Sequence, residues 1–173
     1  MLSDALVNHL NRQINLEFYS SNLYLQMSSW ATSKGLDGCA GFLRNHADEE
    51  MGHMQRLFAY VNETGALATL GAIEEPPTEY TSIKDVFVQT YEHECHVTRE
   101  INRLAGAALA ESDFSTFSFL QWYVAEQHEE EGLFKTILDK IEIIGIEGRG
   151  LYHFDQQMLK LTTEKTLPAS AQE

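Results

Sequence analysis

At 173 residues, 43% hydrophobic and 22% charged, the chain is long enough for one self-sufficient core and has the make-up of an ordinary soluble globular domain. No stretch approaches the roughly 18 apolar residues of a membrane span, which excludes a transmembrane helix. The net charge of −14 argues against nucleic acid, whose binding needs clustered Lys and Arg.

The opening Met1-Leu2-Ser3-Asp4 lacks the basic and apolar regions of a signal peptide and points to the cytoplasm. Cys39 and Cys95 have neither CxxC spacing nor a disulfide framework around them, so both read as free thiols of a reducing compartment.

Apolar residues recur at steps of three and four, the helical period, and about 75 residues at a stretch contain no proline to break a helix. The pattern predicts helix A over 5–33 and helix B over 38–64, with Gly35 and Gly38 as punctuation between them. Next come 65–81 with Pro76-Pro77, helix C over 82–110, and helix D over 114–144 behind a Ser112-Asp113 cap. Gly145, Gly148 and Gly150 end helix D; 151–161 reads as a short fifth helix. Residues 1–162 form the predicted domain and 163–173 a loose tail.

Short A–B and C–D connections force antiparallel hairpins. A helix of ~28 residues is ~42 Å long, and about 17 extended residues reach ~56 Å, so the B–C linker can return along the whole bundle. The predicted fold is therefore all-α: a four-helix bundle with one long crossover and a short fifth helix.

The core stripes of these helices break at one height. Helix D reads Leu120, Tyr123, Gln127, Glu130, Phe134, Ile137, Ile141, and helix B reads Leu43, His46, Glu50, His53, Leu57, Tyr60. Leu10, Glu17, Tyr24 and Ala31 stack along helix A, and Phe87, Glu94, Ile101 and Ala108 along helix C. Each stripe is apolar at its ends and acidic near its midpoint, so an antiparallel bundle brings the acids to one level. A single such glutamate belongs on a solvated face, but four at one height need a compensating charge if buried. Two divalent metal ions supply it. The halves repeat, Glu17-x32-Glu50-x2-His53 and Glu94-x32-Gln127-x2-Glu130, and a pair at i, i+3 projects from one helix face to chelate. Without metal, Glu17, Glu50, Glu94 and Glu130 should crowd together and retain protons.

Three stretches carry a family resemblance: Asn15-Leu16-Glu17 through Tyr24, Phe42-Leu43-Arg44 through His46-Ala47-Asp48-Glu49-Glu50-Met51-Gly52-His53-Met54, and Phe119-Leu120-Gln121-Trp122-Tyr123 through Glu126-Gln127-His128-Glu129-Glu130-Glu131. Over nearly its whole length the chain resembles the bacterial non-haem ferritins. The resemblance implies a hollow twenty-four-subunit shell that oxidises Fe(II) with dioxygen, a ferroxidase, and stores the product as ferric oxyhydroxide. It implies one iron held by Glu17, Glu50 and His53 and another by Glu50, Glu94 and Glu130. Glu50 would bridge them, with Gln127 beside the pair. A third iron position maps onto Glu49, Glu126, Glu129 and Glu130.

Tyr24 matches the family tyrosine beside the centre, either an electron donor to dioxygen or a packing residue. Trp122 and His46 read as structural, with orienting a ligand as the other role of His46. Met51 stands where bacterioferritins carry a haem-binding methionine, but no haem is expected. Bacterioferritins place Glu-x-x-His in both halves; Gln127-x-x-Glu130 here implies a weaker second site through which iron passes. Phe117 and Leu120 stand where animal ferritins line three-fold channels with acids. Leu151, Phe154, Met158 and Leu161 give the fifth helix a stripe that should be covered by neighbouring copies. The rival readings are a bacterioferritin-like or other di-iron oxidase, including one acting on organic substrate, and a cage subunit that stores iron without oxidising it.

Overall fold

The computed structural model describes residues 2–166 and places five helices among them: α1 (Asp4–Ser33), α2 (Asp37–Glu63), α3 (Ile83–Ala110), α4 (Phe114–Ile144) and α5 (Arg149–Thr166). The helix starts show why the chain folds here. Ser3 Oγ accepts from Leu6 N at 3.1 Å, Ser82 Oγ from Asp85 N at 3.1 Å, and Asp113 Oδ1 from Thr116 N at 3.0 Å. Each cap is worth about 1 kcal/mol. Gly145, at φ +74°, ends α4 in a conformation that a side chain would resist.

The crossover runs back along α1. Asn11 Nδ2 donates to Leu67 O at 3.2 Å while Asn11 Oδ1 accepts from Thr69 N at 2.9 Å. One turn on, Asn15 Nδ2 donates to Thr69 O at 3.1 Å and Asn15 Oδ1 accepts from Gly71 N at 2.6 Å. At the other end of α1, Trp30 packs edge-on against the buried Tyr80, ring centroids 5.5 Å apart. Crossover and α1 thus advance together, which leaves α2 and α3 parallel, as linker length predicted.

All eight stripe residues of α1 and α3 are buried, as are all seven of α4. In α2 the stripe ends on Val61 rather than Tyr60. Tyr60 is half-buried, stacked on Phe119 at 3.8 Å with its hydroxyl 2.8 Å from Thr116 Oγ1. The apolar core falls into two parts. One gathers Trp30, Phe42, Phe87, Phe134 and Ile141; the other gathers Leu10, Leu57, Ile101, Leu120 and Tyr123. Leu120 is fully buried in the second part, so it faces core and lines no channel; Phe117 beside it is half-buried.

The fifth helix departs from expectation. It extends to Thr166, because nothing in 162–166 breaks a helix before Pro168. Part of the predicted tail is therefore helical, and 167–173 lie outside the described residues. Its stripe is also covered by its own chain. Phe154 and Met158 are each 1% exposed, and Phe154 meets Phe87 edge-on at 5.6 Å. Burying two such side chains contributes roughly 3–6 kcal/mol, enough to dock α5 without a neighbouring copy.

Asp155 completes that docking. α2 has no side-chain cap of its own, and Asp155 serves from α5: Oδ2 accepts from Gly38 N at 3.2 Å and Oδ1 from Cys39 N at 2.9 Å. A carboxylate here also meets the positive end of the α2 dipole. Gly38 is not punctuation between helices but lies in the first turn of α2, where a Cβ would come within 1.9 Å of Asp155 O. Gly38→Ala should cost about 1–3 kcal/mol by pushing α5 away. Calorimetry of the metal-free protein measures this, and an unchanged melting temperature would show that α5 does not seat there.

Candidate metal centre

Between the two apolar parts lies a polar layer. Glu17, Glu50, Glu94, Gln127 and Glu130 are all at most 4% exposed, with His46 and His53 among them. Each sits on the inward face of its helix because the apolar residues three, four and seven positions away point to the same core.

Among the described residues, two groups of side chains bring three possible ligand atoms within 4.8 Å of one another: Glu17–Glu50–His53 and His46–Glu49–Glu130. In the first, His53 Nδ1 lies 3.5 Å from Glu50 Oε2, while Nε2 points toward Glu126 Oε1 at 4.0 Å. Tyr123 donates to the backbone oxygen of His53 at 2.8 Å, and the Trp122 ring stands edge-on to the imidazole at 5.2 Å. Trp122 is itself covered by the Arg56 guanidinium at 4.2 Å, which supports a structural role. Glu17 Oε1 accepts from Gln13 Nε2 at 2.8 Å; its Oε2 is buried with no donor. Acceptor oxygens held this close need a proton or a cation between them.

Protons answer that need when no cation does. Burial above all, then the Glu50 charge, pushes Glu17 well above the usual carboxylate range. Glu50 is raised by burial and then by Glu94. Glu94 is pushed up to about 7 by burial, against the hydrogen bonds it receives. Crowding and retained protons were expected of these carboxylates, and for these three the expectation holds.

Glu94 belongs to neither group of three. The Tyr24 hydroxyl donates to its Oε1, and Gln127 Nε2 donates to its Oε2 at 2.9 Å. This carboxylate takes both donors within reach. Burial and the Glu94 charge push the Tyr24 phenol well above its usual range, so the hydroxyl stays a donor. Glu130 lies with His46 and Glu49 instead, His46 Nε2 to Glu130 Oε2 being 3.5 Å. Of the carboxylates expected at a third position, Glu49 and Glu126 are half-buried and Glu129 is exposed. Met51 is half-buried against the second apolar part.

Gln13 is a residue that reading the stripes missed. It stands one turn before Glu17 on the same face, the spacing that lets an amide hold a carboxylate, and this was its available signal. The donors suit the chemistry: imidazole and carboxylate bind iron, and carboxylates favour the harder ferric ion.

Comparison with known proteins places the chain. The profile of the ferritin-like domain matches residues 7–144. The chain belongs to the ferritin-like family. It is 56% identical over 164 residues to a probable bacterial non-heme ferritin-like protein of Haemophilus influenzae, covering 95% of this chain and 99% of that one. It is 51% identical, with the same coverage, to a bacterial non-heme ferritin of Escherichia coli. Among solved structures, an open pore ferritin of the hyperthermophilic archaeon Archaeoglobus fulgidus superposes with a TM-score of 0.90 at 43% identity, covering 92% of this chain and 98% of that one. A ferritin of Chlorobium tepidum gives 0.83 at 49% identity, covering 92% and 99%. The all-α bundle, its crossover and its fifth helix are thus those of a ferritin, and no helix among the described residues is long and apolar enough to cross a membrane.

Proposed function

We propose that the chain is an iron-storage subunit that oxidises Fe(II) with dioxygen at a di-iron site inside its own bundle and passes the ferric product to a mineral. The observation that carries this is the buried Glu17–Glu50–His53 group, three donors within 4.8 Å of one another in an apolar bundle. The fold that holds this group is that of a ferritin-like family, and the relatives of this chain include proteins named non-heme ferritins.

In this reading Glu17, Glu50 and His53 hold the first iron, Glu50, Glu94 and Glu130 the second, and Glu50 bridges. The four carboxylates carry four negative charges, which two Fe(II) ions neutralise. Loading displaces the protons that Glu17, Glu50 and Glu94 hold, so binding competes with protons. Each Fe(II) gives up one electron, and the pair together supplies two to dioxygen; the chain's part is to fix both ions with positions left open. Tyr24 holds Glu94 through its hydroxyl, which would be released when Glu94 turns to iron. Gln127 is an amide beside the pair, and a second ion held without a histidine is the more easily passed on. Glu49, Glu126, Glu129 and Glu130 offer it a third position.

The working assembly in this reading is a closed homo-oligomer, a twenty-four-subunit shell in the cytoplasm, each subunit one ferritin-like unit over 1–162 followed by the 163–173 tail. One preparation tests both halves of the reading. Native mass spectrometry should find the shell, and stopped-flow mixing with aerobic Fe(II) should give ferric absorbance far faster than buffer alone. A monomer or dimer as the only species sinks the assembly; a rate equal to that in buffer sinks the oxidation.

A further inference from the structure

Two clefts at the surface of the bundle end on side chains that hold carboxylates of the centre, and they differ in charge. We propose that the cleft between α3 and α4 is the route by which Fe(II) reaches the second iron position, with Gln127 as its inner gate. The proposal rests on the reading of Glu94 as a ligand of that iron and adds the way in.

The α3–α4 cleft has a volume of about 210 Å³, with Thr98 and Asn102 on one wall and Val124, Gln127, His128 and Glu131 on the other. That is room for an ion with part of its water shell. Asn102 and His128 are exposed and Glu131 is half-buried, whereas Gln127 is 2% exposed. The cleft thus runs from a carboxylate at its mouth to a buried amide at its floor. Gln127 is the member of this lining that belongs to the polar layer. Its Nε2 donates to Glu94 Oε2 at 2.9 Å and lies 3.5 Å from Thr98 Oγ1. Thr98 stands one turn after Glu94 on α3, so the amide can exchange the carboxylate for the hydroxyl without leaving its N–H unpartnered. That movement of one side chain opens the cleft onto Glu94.

The lining suits a cation in transit. An ion that sheds water needs oxygen ligands, and Glu131, Asn102, Thr98 and Gln127 offer a carboxylate, a hydroxyl and two amide oxygens. A route must attract its ion without trapping it, and a single carboxylate among neutral groups does both. The other cleft is the contrast. It lies between α1 and α3, also has a volume of about 210 Å³, and ends on Gln13, which donates to Glu17 at 2.8 Å. Its lining includes Arg12 and Arg103, and its one carboxylate, Glu100, is paired with Arg103. Arg12 leaves this cleft net positive, and fixed positive charge at a narrow mouth turns Fe(II) away. Of two clefts alike in size and depth, charge selects the one that ends on Gln127.

The test follows Co(II) into the assembled metal-free protein under argon, by stopped-flow absorbance in the part of the visible band that Glu94→Gln removes. Two variants outside the ligand set are compared with wild type: Asn102→Trp, which fills the mouth, and Glu131→Lys, which reverses its charge. At about 0.1 M salt, where charges more than ~10 Å apart are largely screened, each should slow the rise about tenfold while the final amplitude stays the same. Salt at about 1 M should shrink the Glu131→Lys effect and leave that of Asn102→Trp. Glu111→Lys, which changes net charge equally beyond the end of α3, should bind at the wild-type rate. A wild-type rate in Asn102→Trp overturns the proposal, and so does equal slowing by Glu131→Lys and Glu111→Lys. If Glu94→Gln removes nothing from the wild-type band, the second iron position itself falls and the route falls with it. If Asn102→Trp fails to assemble, Glu131→Lys decides.

Discussion

The Glu50→Ala, His53→Ala double variant should lose at least about 100-fold in the initial rate of aerobic Fe(II) oxidation, since removing even the outer partners of metal ligands costs about 10–100-fold. Glu50 is the carboxylate assigned to both irons, and His53 is the only imidazole in the Glu17–Glu50–His53 group. Their loss leaves Glu17 as the sole member of that group and takes a ligand from the second position as well. The fold should survive. Glu50 is a buried carboxylate displaced toward its protonated form, so the metal-free bundle gives up little in losing it. Stopped-flow absorbance gives the rate, and native mass spectrometry shows that assembly is unchanged. Wild-type initial rates in a fully assembled double variant would place the oxidation elsewhere.

The metal-free protein should lose stability as pH rises from about 5 to about 8, and a divalent cation should restore it. Glu94 is raised from 4.5 to about 7 in the folded chain. Between those values the folded protein keeps a proton that the unfolded chain has released, so stability falls with pH; above about 7 the deficit is constant. For Glu94 alone the loss is about 3 kcal/mol, and Glu17 and Glu50, displaced in the same direction, add to it. Glu94→Gln removes that share. It should melt at higher temperature than wild type at pH 8, with a shallower dependence on pH, while binding the second iron more weakly. Calorimetry at matched assembly state distinguishes this from the alternative. A variant that melts lower at pH 8 would make Glu94 a support of the fold rather than a ligand kept at the fold's expense.

The four long helices were legible to within one residue at each end, because amphipathic period, caps and proline positions all agree there. The polar layer was legible for the same reason: a glutamate inside an apolar stripe has nowhere to go but inward. What escaped was carried by tertiary contact. Nothing in the period of 151–161 says that Gly38 is bare so that α5 can lie against it, or that Asp155 caps a helix more than a hundred residues earlier. The stripe of α5 was correctly apolar but assigned the wrong cover. At the centre, the pattern named the carboxylates without saying which donors hold them. Tyr24 and Gln127 on Glu94, and Gln13 on Glu17, depend on rotamers that spacing does not determine.

The long crossover has a consequence for the order in which the molecule is made. Glu17, Glu50 and His53 all belong to the hairpin of α1 and α2, complete at Glu63, before any residue of the crossover exists. On a growing chain these groups are still hydrated, and an open helical hairpin leaves their carboxylates ionised at no great expense. Dehydration comes only when the hairpin of α3 and α4 is synthesised and closes over them, bringing Glu94 and Glu130 into the same layer. The electrostatic penalty of the centre therefore falls on the step that brings the two halves of the bundle together, and burial of the apolar parts on either side of the layer offsets it. Protons taken up from solution reduce that penalty.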